Sequence, residues 1–188
     1  DIVENDSPGS GISEKGVSTD RIWGENRARK IFYIGDPRTE KAWLVLLNNR
    51  QGKIPLHFAV NGRESQFDDW TTTAYYKMFL WTEFPSDWLK RGRNVVDIYC
   101  PDAHTPEEGW DINLSRADEF ESGGGNPADV GKTSYKSSDG GKTWKESPFG
   151  PDGRTRAEYS ARISLDRFVQ KGWLETPVID LWKGNRKD

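Results

Sequence analysis

Two tryptophans stand beside acidic residues in segments that carry no strand pattern, and this pairing is the most suggestive chemistry in the sequence. Trp70 follows Asp69 in "FDDWTTTAYY", and Trp110 lies between Glu108 and Asp111 in "EEGWDIN". A sugar needs an apolar ring face for its C–H groups and polar side chains for its hydroxyls. We therefore predict a carbohydrate site on loops, with the contact residues Arg63, Asp69, Trp70, His104, Glu107 and Trp110.

Catalytic motifs are scarce by comparison. The sequence has no nucleophile elbow, P-loop, dinucleotide-binding glycine pattern or metalloprotease helix, and only His57 and His104 are available for a triad. Glycoside hydrolysis needs only two carboxylates at a suitable separation, and the segments "FDDW", "TPEEGWD" and "RADEFES" supply several. No catalytic residue is predicted, but a small glycoside hydrolase or polysaccharide lyase using loop carboxylates or the histidines stays an alternative.

A metal site is suggested by one segment, "CPDAHTPEEGW", in which Asp102, His104, Glu107 and Glu108 stand close together. Carboxylates and an imidazole can bind a metal ion, but this spacing matches no standard zinc or EF-hand pattern. The residues alone therefore predict no defined set of metal ligands.

The composition argues against two classes of partner. Charged residues make up 30% of the chain but are balanced, and the net charge of −3 leaves no clustered basic face for a phosphate backbone. No apolar stretch approaches the roughly 20 residues of a membrane-spanning helix, and the N-terminus lacks a signal-like apolar region. We expect neither nucleic acid nor a membrane span, and we expect any export signal to lie outside this chain.

The sequence predicts one domain preceded by a tail. Residues 1–20 are acidic, rich in Ser, Gly and Pro, and poor in side chains that could be buried, which is typical of a flexible tail or linker. Residues 21–188 can build a single core, because nine Trp, eight Phe and six Tyr compensate for a hydrophobic share of 34%. The one cysteine, Cys100, excludes an internal disulfide and is predicted to be a buried thiol.

Short apolar or alternating runs separated by turn residues predict the fold class. In "RAEYSARISL" every second residue from Ala157 to Leu165 is apolar, which predicts a half-buried strand with Glu158, Ser160 and Arg162 facing water. Further segments are apolar enough for central strands, namely "AWLVLLNN", "YKMFLW", "NVVDIYC" and "TPVIDLW". Many short strands with spaced turns predict an all-β protein, an antiparallel β-sandwich or jelly roll.

Two expectations about placement follow from a sandwich. Most tryptophans of a sandwich belong to its core, and we assign there the five that fall in strand-like runs, Trp43, Trp81, Trp144, Trp173 and Trp182. If consecutive strands run antiparallel, the loops after Val60 and Tyr99 and the turn at Asp139 leave by one end. The predicted sugar contacts would then meet at one rim.

The order of three segments, "WLVLLNN", "LHFAVNGRE" and "WLKRGRNVVDIY", resembles the sugar-binding jelly-roll domain of β-galactosidases and β-glucuronidases. In that family a strand ending in Val-Asn-Gly is followed by Leu-Lys-x-Gly-x-Asn and another strand. The matching residues here are Val60, Asn61, Gly62, Leu89, Lys90, Gly92 and Asn94. The resemblance covers Trp43 to Tyr99 and implies a galactose-binding-like fold, with a structural calcium near the end strands for which Asp180 is a candidate.

The segment "SSDGGKTW" resembles the Asp box, the Ser-x-Asp-x-Gly-x-Thr-Trp hairpin of sialidases and many secreted carbohydrate-active proteins. Its signature residues are Ser137, Asp139, Gly141 and Trp144. Asp139 and Ser137 can bind backbone amides of the turn, its glycines tolerate positive φ, and Trp144 can cap the hairpin from beneath. The resemblance implies a structural role for these residues, and a complete sialidase is not expected because the box does not repeat.

These observations together predict a non-catalytic carbohydrate-binding module of a secreted polysaccharide-degrading enzyme. Its expected partners are a polysaccharide or oligosaccharide and a covalently linked catalytic domain, and its expected location is extracellular or at the cell surface. The enzyme named above is the first alternative. The second is a structural spacer or interaction domain that packs on a neighbour through exposed aromatics.

Overall fold

The computed structural model describes residues 2–4, 19–50, 52–67, 78–116, 131–150 and 153–166. Within these ranges the only helical element is a 3-10 turn at Ser86–Trp88, and no helix is long and apolar enough to cross a membrane. The strands are β1 (Ile2–Glu4), β2 (Thr19–Ile22), β3 (Arg27–Ile34), β4 (Lys41–Arg50), β5 (His57–Val60), β6 (Arg63–Gln66), β7 (Met78–Phe84), β8 (Gly92–Tyr99), β9 (Trp110–Arg116), β10 (Ser134–Ser137), β11 (Lys145–Glu146), β12 (Ala157–Tyr159) and β13 (Ala161–Asp166).

The strands form two antiparallel sheets. The first has the order β1-β13-β4-β9-β12, with β2 also paired to β9 and β7 also paired to β4. The second has the order β11-β10-β3-β8-β5-β6. The predicted all-β antiparallel sandwich is therefore confirmed, whereas the galactose-binding-like assignment stays a prediction.

The core lies between the sheets and is built by alternate residues of their strands. Ala42, Leu44 and Leu46 of β4 are fully buried, as are Val96 and Ile98 of β8. Successive side chains of a strand point to opposite faces, so each strand sends every second residue inward. Burial of one large apolar side chain stabilises a fold by about 1.5–3 kcal/mol relative to its exposure.

The strand register fixes which loops share an end of the second sheet. Arg27 at the start of β3 pairs with Tyr99 at the end of β8 and with Ser137 at the end of β10. The turn before β3, the loop after β8 and the β10–β11 turn therefore leave from this end, which we call the Tyr99 end. Val60 pairs with Val96 and with Arg63, so the β5–β6 turn lies at the opposite end.

The prediction of a single rim is therefore wrong for one of its three loops. The loops at Tyr99 and Asp139 share an end, but the loop after Val60 does not. The reason is β6, whose residues Arg63–Gln66 are all polar and give no strand signal in the sequence. This additional strand reverses the direction of the chain once more, and it leaves Arg63 bound to Asp87 at 2.7 Å, away from the Tyr99 end.

The short motifs that resemble β-galactosidase domains contact one another. Asn61, at φ +52°, donates its side-chain amide to the backbone oxygen of Trp88 at 2.8 Å and to Asn94 Oδ1 at 2.9 Å. Asn94 in turn accepts from the Lys90 amide at 2.9 Å and donates to the Gly92 oxygen at 3.0 Å. The motif residues thus hold the β5–β6 turn against the start of β8, which is a structural role.

The N-terminal prediction is wrong at both ends of the supposed tail. Ile2–Glu4 form β1, which pairs with Arg162 to Ser164 of β13, and Thr19 and Asp20 belong to β2, which pairs with β9. Backbone hydrogen bonding to a sheet edge does not need apolar side chains, so composition gave no sign of it. Residues 5–18 lie outside the described part of the chain.

The segment "RAEYSARISL" forms two strands, β12 and β13, separated at Ser160. Its five alternating apolar residues are buried as predicted, but Glu158 and Ser160 are also buried instead of facing water. Glu158 accepts from Lys30 Nζ at 3.2 Å, and both side chains have almost no exposed surface. Thr133 and the Ser134 hydroxyl complete the hydrogen bonds of this carboxylate, which explains how the fold holds it inside.

Candidate functional site

The candidate site is built around a four-residue turn, Trp23 to Asn26, that joins β2 to β3. The Asn26 amide donates to the Trp23 oxygen at 2.9 Å, and the Gly24 amide donates to the Cys100 oxygen at 3.0 Å. Gly24 has φ +54°, a conformation that favours glycine. Gly109 packs behind the turn, where a Cβ would come within 2.7 Å of Trp23 Cβ. The turn is thereby fixed to the loop that follows β8.

The β10–β11 turn forms the second wall of the site. Asp139 accepts from the Thr143 amide at 2.9 Å and from its hydroxyl at 2.6 Å, while Ser137 Oγ accepts from the Gly141 amide at 2.8 Å. These are the local hydrogen bonds expected from the sequence. Those from Thr143, followed by that from Ser137, hold the pKa of Asp139 well below its usual range. The Gly140 amide donates to the Glu25 oxygen at 3.0 Å, which joins this tip to the Trp23 turn.

Trp144 does not belong to the core to which it was assigned, but it contacts the hairpin that it was predicted to cap, because a Cβ on Gly141 would lie 3.4 Å from Trp144 Cζ2. Its ring is also half-buried against the Arg29 guanidinium, with the ring centroid 3.8 Å from Arg29 Cζ. Arg29 also donates two hydrogen bonds to Asp97, at 2.5 and 2.8 Å. A planar cation favours such stacking, so Trp144 ties the hairpin to β3 instead of filling the core.

A cleft of about 590 Å³ opens between these loops, and we call it the main lobe. It is lined by Trp23, Gly24, Glu25, Asn26, Arg27, Pro101, Ala103, His104, Ser138 and Gly140. The half-buried ring of Trp23 also packs against the hydrophobic core, which restricts its orientation. The main lobe therefore combines an anchored aromatic ring with polar groups from three loops.

Arg27 is the cation of the main lobe. Its guanidinium stacks on the Tyr99 ring, with Cζ 4.6 Å from the ring centroid. The buried Nε has no hydrogen-bond partner, and no carboxylate lies within ion-pair distance in the part of the chain that the structure describes. The fold thus orients the positive charge of Arg27 without neutralising it.

A second cleft of about 320 Å³ adjoins the first and shares Trp23 and Asn26 with it. We call it the charged lobe, and its remaining lining residues are Thr19, Asp20, Arg21, Asp111, Lys136 and Gly150. Asp20 accepts from Lys136 Nζ at 2.5 Å and from the Tyr159 hydroxyl at 2.8 Å. Burial, followed by the charge of Asp20 and this hydrogen bond, raises the pKa of Tyr159 well above its usual value.

The second ion pair of the charged lobe joins β2 to β9. Arg21 donates from Nε at 2.5 Å and from Nη2 at 2.9 Å to the two oxygens of Asp111. The hydrogen bond to Asp111 raises the pKa of Arg21 despite an opposing effect of burial, and Glu107 adds a smaller electrostatic contribution. Both cations of this lobe therefore already have a carboxylate partner, in contrast to Arg27.

The chemistry of this cleft is the basis for a functional assignment, because no protein-family model, curated protein or solved structure matches the chain. Two lobes meet at one tryptophan and present hydrogen-bond donors and acceptors on rigid turns. Clefts of about 300–1,000 Å³ hold ligands of drug or oligosaccharide size. Ring faces beside paired polar groups suit a ligand that has both C–H surfaces and hydroxyls.

The predicted sugar contacts are only partly brought together. His104 is exposed and lines the main lobe, and Glu107 is exposed on the same loop. Arg63 lies at the opposite end of the second sheet, as described above. Asp69 and Trp70 lie outside the described residues.

The structure contradicts the prediction that Trp110 contacts a sugar. Its ring has no exposed surface, and its Nε1 donates to the Ile54 oxygen at 2.7 Å. Gly52 packs directly against the ring, where a side chain would collide with it. A ring enclosed in this way cannot stack on a sugar, so the prediction for Trp110 is wrong: it is the first residue of β9 and faces the core.

The core assignment is also not confirmed for the other tryptophans. Trp81 on β7 is 54% exposed, so its assignment to the core is wrong, and Trp43 is half-buried. Trp81 projects from the same face of β7 as Phe79, two residues before it, which is also exposed. Trp173 and Trp182 lie outside the described residues.

The acidic loop after β8 is held closed by its own hydrogen bonds. Glu108 accepts from the amides of His104 and Thr105 at 2.7 and 3.2 Å, which closes the loop. The His104 amide, with a smaller contribution from Thr105, lowers the pKa of Glu108 in spite of some burial. Among the described residues no three His, Cys, Asp or Glu side chains are grouped as metal ligands. Asp180 lies outside them.

The sequence interpretation missed most of the residues that line the cleft. Trp23 stands in "RIWGEN", between two alternating segments, and its Trp-Gly pair is a turn signal that could have placed it on a loop. Asp20 and Arg21 were obscured by the boundary assigned to the tail. The pairing of Lys136 with Asp20 joins residues 116 positions apart, and no local pattern reports such a contact.

Proposed function

We propose that this β-sandwich is a non-catalytic carbohydrate-binding module that binds a glycan in the two-lobed cleft. The observation that carries the proposal is the position of Trp23, whose anchored ring lines both lobes. An aromatic ring between two polar clefts fits an oligosaccharide that stacks one sugar face and places its hydroxyls on either side.

Polar groups of several kinds reach the cleft. Asn26 can both donate and accept hydrogen bonds, and His104 offers an imidazole on the exposed rim. The ion pairs Asp20–Lys136 and Arg21–Asp111 supply oriented donors and acceptors in the charged lobe. An open cleft buries little of a ligand, so we expect modest affinity at a single site.

The proposal includes a setting for this domain. As an accessory part of a secreted polysaccharide-degrading enzyme, it would hold a covalently linked catalytic domain close to its substrate. The resemblance of its turn motifs to extracellular carbohydrate-active proteins supports this setting. The resemblance also implies a structural calcium, so the proposal includes a calcium requirement.

The enzyme alternative has one observation in its favour, because Asp20 and Asp111 line the same lobe. Glycoside hydrolysis requires one carboxyl group that donates a proton and a second carboxylate. Here each carboxylate accepts hydrogen bonds from a cation, at 2.5 Å in both cases, so neither is arranged as a proton donor. A binding module therefore fits this lobe better than a hydrolase.

Affinity gel electrophoresis on a panel of soluble polysaccharides tests the proposal, with and without EDTA and with reducing ends assayed in the same mixtures. We expect retardation by at least one polymer without new reducing ends. Trp23→Ala and His104→Ala should weaken it, and Trp81→Ala, which removes an exposed tryptophan outside the cleft, should not. His104 is exposed, so its variant separates binding from folding.

Each other outcome has a definite meaning. New reducing ends would replace the module with an enzyme, and retardation by no polymer would favour the spacer. Retardation that both cleft variants leave intact would contradict the assignment of the site. Loss of retardation in EDTA would add a metal requirement to the proposed module.

A further inference from the structure

We propose that Arg27 binds an acidic group of the glycan, a carboxylate or a sulfate, in the main lobe. This inference rests on the proposed function and specifies its ligand class. Arg27 lines the main lobe and is held in place by its stacking on Tyr99, at 4.6 Å. A guanidinium is planar, permanently charged and suited to carboxylate and sulfate oxygens.

The first supporting observation is that Arg27 lacks a counterion in the described part of the chain. Other cations of the fold have carboxylate partners at 2.5–3.2 Å, including Arg21, Arg29, Lys30 and Lys136. Arg27 has none among the described residues, and its Nε is buried without a hydrogen-bond partner. A partly buried charge without a partner costs stability, so its presence in a cleft indicates a ligand role.

The second observation is where the unpaired charge lies. In the charged lobe, Lys136 and Arg21 are each bound by a carboxylate, and an anion there would meet Asp20 and Asp111. Among the described residues that line the main lobe, the only carboxylate is that of Glu25, which is exposed and lies beyond ion-pair distance from Arg27. An acidic group of the glycan is therefore attracted most strongly next to Arg27. A neutral part of the glycan fits the charged lobe.

Matched polymers test this inference. We would compare polygalacturonate with its carboxyl-reduced form, alginate with its carboxyl-reduced form, and a sulfated galactan with its desulfated form, by affinity electrophoresis and calorimetry. We expect the acidic member of at least one pair to bind about tenfold to hundredfold more tightly than its neutral counterpart, because hydrogen bonds to charged groups are strong. The uronate and sulfate pairs distinguish the two sources of the acidic group.

Three variants connect the preference to Arg27. Arg27→Gln should lower binding of the acidic polymer to the level of its neutral counterpart. Glu25→Gln, which removes the opposing charge from the lobe, should strengthen acidic binding about twofold to threefold, as expected for an exposed charge. Arg63→Gln makes the same change of net charge at the opposite end of the sheet and should leave the preference unchanged.

The outcomes separate this inference from the proposed function. Equal or tighter binding of the neutral polymers would overturn the role of Arg27 while leaving a carbohydrate-binding module. An acidic preference that Arg27→Gln does not alter, or that Arg63→Gln abolishes equally, would also overturn it. Binding of no polymer in any pair would remove both proposals. If Arg27→Gln does not fold, Glu25→Gln becomes the test of the inference. Stronger binding of the acidic polymer would support it, and unchanged binding would overturn it.

Discussion

Arg27 and Arg29 are two residues apart on β3 and project from the same face of the second sheet. Both guanidinium groups stack on an aromatic ring, Tyr99 for Arg27 and Trp144 for Arg29. Arg29 also binds both oxygens of Asp97, whereas Arg27 lines the cleft and has no carboxylate partner among the residues that the structure describes. The same residue type on one strand thus serves two purposes, and the presence or absence of a counterion distinguishes them.

Lys30 extends this comparison to the other face of β3. It points into the core, where Glu158 is its partner. Within the described structure the strand therefore carries one buried paired cation, one partly exposed paired cation and one unpaired cation. A buried charge is tolerated only with a partner and satisfied hydrogen bonds. Removal of partners along this series should therefore show how much each counterion contributes to stability.

The largest effect is expected for Glu158→Gln. This change leaves the Lys30 ammonium buried without a carboxylate, and we expect a loss of about 3–5 kcal/mol in the free energy of unfolding at neutral pH. Urea denaturation measures the change. The double variant Lys30→Met/Glu158→Gln should recover most of it, because an uncharged pair leaves no unpaired charge in the core. Glu158→Gln with nearly the stability of the parent protein would show that the buried pair does not behave as described.

The Lys30–Glu158 pair should also make the free energy of unfolding depend on pH. Burial raises the pKa of Glu158, but the charge of Lys30 and the hydrogen bonds from Ser134 and Thr133 outweigh it, and the net pKa is lowered. A lowered pKa stabilises the fold fully above the unfolded-state value of about 4.3, and this contribution is lost as pH falls through the folded-state value. Unfolding curves between neutral and acidic pH should be less pH-dependent for the double variant than for the parent.

The buried pair also shows where prediction from sequence stops. Alternation identified β12 and β13, and continuous apolar runs identified β4, β7 and β8, because contact with an apolar core leaves a pattern that is local in the chain. The same alternation wrongly predicted that Glu158 is exposed to solvent. Its partner Lys30 is 128 residues away, and no local sequence pattern indicates that contact. A polar residue on an amphipathic strand is buried when a distant partner satisfies it.

The candidate site could also be predicted only where its contacts are local in the sequence. The hydrogen bonds of the Asp139 turn follow from its own sequence, and they were expected correctly. The choice between Trp110 and Trp23 as the ligand-facing ring was not accessible, because both stand beside Gly and acidic residues. Gly52 closes over Trp110, whereas Gly109 packs behind Trp23 and leaves its ring on the cleft. Tertiary packing therefore decides which aromatic ring is available.

A smaller effect is expected for Asp97→Asn, which brings Arg29 closer to the condition of Arg27. The Arg29–Asp97 side chains are 25% and 21% exposed, and solvent screening limits such a pair to about 1 kcal/mol or less. Urea denaturation should show a loss within that limit. Binding of acidic polymers should not increase, because Arg29 does not line either lobe. Tighter binding of acidic polymers would mean that an unpaired arginine anywhere on this face can bind them. The position of Arg27 in the cleft would then not distinguish it from Arg29.

The smallest effect on stability is expected for Arg27→Gln. This substitution removes a charge that has no partner, so the lost stacking on Tyr99 is offset by the relief of desolvation, and we expect a change within about 0.5 kcal/mol. Arg29→Gln is the matched control and should cost more, since it removes both the ion pair and the contact with Trp144. Urea denaturation of the two variants in parallel makes the measurement. If Arg27→Gln destabilises the fold as much as Arg29→Gln does, Arg27 is a structural residue, and the counterion no longer distinguishes a binding group from a scaffold group.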